Sequence, residues 1–156
     1  MVGQLDAAEV TYKKLLASSN FDNPLNRGMV MNNLAYVMAL NGKPEEPMKF
    51  VRDAELLLGP TPDLIDTRGY VYLVQGDYTN AVRDFERALE TGTGSSQKLF
   101  HLALAHEQAG QSDDAQTRWN EALSAGLQKF QLPLPLREKF DVLQLKYGGT
   151  PVAMTR

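Results

Sequence analysis

The sequence predicts an all-α fold of paired helices, and three observations carry the prediction. Gly42, Gly76 and Gly110 are spaced by 34 and 34 residues. Around them, small and large apolar residues recur in fixed phase. Seven residues before each glycine stand Ala35, Gly69 and Ala103, and eleven before stand Met31, Ile65 and Leu99. Nine after stand Val51, Phe85 and Trp119, and twelve after stand Ala54, Ala88 and Ala122. On both sides of each glycine the apolar residues fall at helical spacing, as in Met31, Leu34, Ala35, Met38 and again in Ala81, Val82, Phe85, Ala88, Leu89. Self-similarity of this period marks stacked supersecondary units, each burying its apolar face against the next.

Each element has a local reason. The glycine stops the first helix because it takes a left-handed conformation without steric cost. Small residues at fixed places let two helix backbones approach, and the large residue nine after the glycine fills the space beside them. Thr61-Pro62-Asp63 supplies a cap, a proline in the first turn and a carboxylate at the positive helix end, and Ser112-Asp113-Asp114 is expected to play the same part later. Five residues after the glycines stand Pro47, Ala81 and Ala115, so the first copy departs from the pattern there. Upstream, Gly3 to Ala8 reads as the start of a second helix whose partner is absent from the chain, and ASSNFDNPLNR reads as a loop holding a five-residue insertion. Downstream, Leu132-Pro133-Leu134-Pro135 breaks the chain and 135–148 reads as an amphipathic capping helix, with Trp119 as core.

The 34-residue pattern, clearest in GYVYLVQGDYTNAVRDFERALE at 69–90, resembles the tetratricopeptide repeat family, bacterial type, over about residues 3–127. Pro47, Glu55 and Arg68 depart from the family pattern. The resemblance implies a right-handed α-α superhelix in one domain, 1–148. It comprises a half repeat at 3–20, repeats at about 28–61, 62–95 and 96–129, the cap, and a flexible tail at 149–156. It also implies that the chain is a piece of a larger scaffold protein and that the first helix of each repeat lines a concave groove. The partner-binding residues expected there are Met29, Asn32, Asn33, Tyr36, Leu40, Asp66, Tyr70, Leu73, Phe100, His101, Leu104 and Glu107. The resemblance implies a protein or peptide partner and no enzyme activity. Family members that hold a C-terminal carboxylate use a lysine and asparagine pair, a further asparagine, then a lysine and arginine, at places that here read Asn32 and Tyr36, Thr67, then Gln97 and His101; no cation stands there, so a carboxylate-clamp ligand is not expected. Self-association through the exposed half repeat at 4–17, as a spacer or assembly unit, is the alternative, and a non-catalytic part of an enzyme complex is a remote one.

Composition narrows the rest. The net charge is −3, with no Lys/Arg cluster of the kind nucleic-acid binders carry. No apolar run reaches the ~20 residues of a membrane helix, and MVGQLDAAEV lacks a signal-peptide pattern. The absence of cysteine removes thiolate metal sites and a cysteine nucleophile. The only histidines, His101 and His106, are five apart, which places them on different helix faces, so neither a metal site nor a cofactor is expected. GTGSS at 92–96 has no lysine and reads as a turn rather than a phosphate loop.

Overall fold

The structure is a computed structural model that describes residues 3–18, 23–91 and 95–148. Among the described residues all regular structure is helical: α1 (Gly3–Ala17), α2 (Pro24–Leu40), α3 (Pro47–Leu58), α4 (Pro62–Gln75), α5 (Tyr78–Thr91), α6 (Ser96–Gln108), α7 (Ser112–Ser124) and α8 (Leu134–Tyr147), with a short 3-10 turn at Lys129–Gln131 before α8. The contacts divide the chain into two compact units, Met1–Asp77 and Tyr78–Arg156. The division falls inside the expected repeat 62–95. The expected flexible tail at 149–156 and part of the 92–96 turn lie outside the described residues.

The three repeat glycines end their helices in one way. Gly42, Gly76 and Gly110 have φ of 72°, 80° and 76°. In each case the glycine N–H bonds the carbonyl three residues back and the next N–H bonds the carbonyl five back: Lys43 to Met38 at 3.1 Å, Asp77 to Tyr72 at 2.9 Å, Gln111 to His106 at 2.9 Å. This paired closure satisfies carbonyls the helix end would otherwise leave orphaned.

In the first unit α1 packs on α2, α2 on both α3 and α4, and α3 on α4. The repeat positions form its core: Ala35, Val51 and Ala54 are fully buried, and Ile65 nearly so. Gly28 is needed for close approach, because a Cβ there would lie 2.6 Å from Leu58 Cγ. In the second unit α5 packs on α6, α6 on α7 and α7 on α8. Ala81, Phe85, Ala88, Ala103, Trp119 and Ala122 are its sealed interior. The Trp119 indole N–H donates to the Gly148 carbonyl at 2.8 Å, which fastens the end of α8.

The departures from the repeat have physical counterparts. Pro47 is the first residue of α3, where its missing N–H costs no helical hydrogen bond. Glu55 and Arg68 pair with each other, Arg68 Nη1 lying 3.1 and 3.3 Å from the two carboxylate oxygens. An ion pair between α3 and α4 thus stands where the other copies carry leucines.

Two local expectations are corrected. The stretch ASSNFDNPLNR is not all loop: α2 begins at Pro24, because the Asn23 side chain accepts from Leu25 N–H at 2.9 Å and Asn26 N–H at 3.3 Å and Pro24 fixes the first helical φ. Ser112 is not a cap; it is already helical, and the preceding Gln111 makes no side-chain cap bond. Thr61 does cap α4, accepting from Leu64 N–H at 3.3 Å.

Candidate functional site

The expected partner-binding residues separate by unit. In the first unit α2 and α4 lie side by side, and their shared face carries most of the accessible ones. Met29 is 57% exposed, and Leu25, one turn earlier, is 58% exposed. Leu25 was missed as a face residue because its stretch was read as loop; the Asn-Pro pair before it was the signal that a helix had started. Asn33 is exposed, and Asn32, Tyr36, Asp66 and Leu73 are half-buried. Tyr36 meets Tyr70 edge-on, with ring centroids 5.4 Å apart at 67°.

Tyr70 itself is 2% exposed, so it supports Tyr36 and offers no contact surface of its own. Burial pushes its phenol well above the usual tyrosine range. Leu40, also expected on the face, is buried as well.

Asn32 occupies the middle of the α2 stripe, one turn beyond Met29. Its side-chain carbonyl is shut off from solvent and has no hydrogen-bond partner among the described residues. Buried polar atoms in folded proteins are nearly always satisfied, so an orphan of this kind calls for an explanation.

In the second unit the expectation fails. Phe100, His101 and Leu104 are buried. The Phe100 ring lies 6.2 Å from both Trp119 and Phe140, and Trp119 and Phe140 meet edge-on at 4.9 Å. The inward face of α8, through Phe140, therefore packs against Phe100. Glu107 is also spent on α8: Lys146 Nζ lies 2.6 Å from one carboxylate oxygen and the Tyr147 hydroxyl donates to the other. Burial acts to raise the Glu107 pKa, but these hydrogen bonds prevail and hold it below the usual carboxylate range. The signal was in the sequence: the position ten before each glycine reads Asn32, Asp66, then Phe100, and an apolar ring in a polar series marks a covered site.

His106 is buried in the packing row, with Nδ1 2.7 Å from Gln111 Oε1. Among the described residues no group of three or more His, Asp or Glu is placed to hold a metal ion, and no helix is long and apolar enough to cross a membrane. A cleft of about 500 Å³ opens between α3 and the end of α4, where Lys49, Arg52, Glu45 and Asp53 line it. It includes none of the expected face residues.

Compared with known proteins, the chain matches no protein-family model and no curated protein.

Proposed function

We propose that this chain is a tetratricopeptide-type helical-repeat module that holds a peptide or helix of another protein on the α2–α4 face. The observation that carries the reading is the α2 stripe: Leu25 and Met29 stand more than half exposed one turn apart, and the next turn holds half-buried Asn32 and exposed Asn33. Apolar side chains at i, i+4 beside a polar register residue are what an amphipathic segment requires for seating. Tyr36 extends the stripe by one more turn with a ring that buries area and keeps a polar tip. Three identical helix closures at a 34-residue period support the repeat architecture. Within it the face belongs to the first helix of each pair.

The reading is tested by selecting binders from a displayed random-peptide library on the parent chain. The selected peptides are then measured against Met29→Glu and Tyr36→Ala. Both positions have exposed surface, so circular dichroism stays helical while affinity drops by about tenfold or more, as for truncation of an interface anchor. Peptides that bind parent and variants equally well would exclude the face.

A further inference from the structure

Of the fifteen residues of α1, only Glu9 is buried. The other inward positions, Leu5, Ala8, Tyr12 and Leu16, are half-buried, and Val10 and Leu15 stand 50% and 38% exposed. What lies in the apolar seam of α1 is thus a carboxylate. Lys43, in the turn after α2, places Nζ 2.8 and 3.0 Å from its two oxygens. Lys13 places Nζ at 2.8 Å, and the Asn41 amide reaches it at 3.5 Å. Asn41 also donates to Asp6 at 3.1 Å. At the far end of the helix, Arg27 Nη1 donates to the Leu16 carbonyl at 3.0 Å. Polar ties therefore fasten both ends of α1 to α2, and the central one neutralises a buried charge.

We propose that α1 is a releasable strap, fastened to α2 by a charged latch centred on Glu9 and Lys43, and that it opens as one unit while α2–α4 stay folded. Lys43 holds Glu9 from outside α1, whereas Lys13 lies on α1 itself. Removing Lys43 leaves the mostly buried carboxylate with a cation that does nothing to keep the helix in place, and the simplest relief is for the helix to leave. The remaining inward contacts of α1 are too shallow to oppose this, and segments with few buried apolar contacts are the ones that open below the global barrier. Opening also frees Arg27, which lies on α2 between Leu25 and Met29. The strap thus ends against the turn that begins the candidate face, although its release does not depend on what that face binds.

Native-state hydrogen exchange on the whole chain tests the inference. In the parent, the amides of 7–17 share one opening rate, faster than those of α2 and α4 by about tenfold or more. Lys43→Gln removes the cation and keeps a side chain of similar reach; it accelerates 7–17 by about a further tenfold and leaves α2–α4 unchanged. Lys43→Arg, which restores the charge, exchanges like the parent. The strap is refuted if 7–17 exchange together with α2–α4 in the parent, if Lys43→Gln accelerates the whole first unit, or if it leaves α1 as it was.

Discussion

Replacing Asn32 by leucine should make the protein more stable and a poorer binder at once. The Asn32 carbonyl is buried without a partner among the described residues, and a buried polar group left unsatisfied costs about 1–3 kcal/mol. Leucine removes that cost and adds about 0.5 kcal/mol of helix propensity over asparagine. Asn33 separates the two effects, because it is exposed on the same helix, so Asn33→Leu gains the propensity alone. Thermal unfolding by circular dichroism should therefore place Asn32→Leu above Asn33→Leu by about 1–2 kcal/mol. That corresponds to a rise on the order of 5 °C in Tm. Peptides selected on the parent should bind Asn32→Leu more weakly, since natural sequences break a local rule mainly at functional positions. A lower Tm for Asn32→Leu than for Asn33→Leu would show that the amide is structurally satisfied. Unchanged peptide affinity would remove Asn32 from the face.

Other outcomes follow from the packing and the charges. Gly28→Ala should destabilise the first unit by about 1–3 kcal/mol in urea titration despite its better helix propensity, because the new methyl meets Leu58 at 2.6 Å. Gly76→Val should cost a similar amount, as a β-branched residue resists the φ of 80° that ends α4. Phe140→Ala should cost about 3–5 kcal/mol and shift the emission of Trp119, the only tryptophan, to the red, because that ring covers it at 4.9 Å. Glu9 gives a pH dependence. Burial acts to raise its pKa, but the hydrogen bonds from Lys13 and Lys43 prevail and bring it from 4.5 to about 2. A depressed carboxylate stabilises the fold above its unfolded pKa and stops doing so as pH falls through the folded one. The fastening of α1 should therefore weaken between pH 4.5 and about 2, by on the order of 1–2 kcal/mol given half-exposed lysine partners. Carboxyl-carbon NMR titration of Glu9 would check this; a midpoint near 4.5 would contradict it.

The fold was legible where one residue type has one physical use. Glycine at positive φ, alanine at a helix–helix approach and Trp119 in the large-residue row all recur at the 34-residue period and lie where that period puts them. Boundaries were less legible: Pro24 starts a helix that the Asn-rich loop composition concealed, and Ser112 looks like a cap but follows a residue already engaged by the preceding helix closure. Exposure was legible on α2, where Met29 and Asn33 stand open to solvent. It was misread on α6, because whether Phe100, His101 and Leu104 are open depends on what else packs there. At Phe100 the covering element is α8, which lies outside the repeat. The Glu9 latch was not legible at all, since it joins residues 34 apart through side chains that periodicity ranks as surface.

The account stands on the α2–α4 face being the place where another polypeptide is held. Backbone NMR of the whole chain, titrated with the tightest peptide from the random library, tests that directly. Shift changes should concentrate on Leu25, Met29, Asn32, Asn33, Tyr36, Asp66 and Leu73. Changes confined to the α3–α4 cleft around Lys49 and Arg52, or to the outer side of α8, would contradict it.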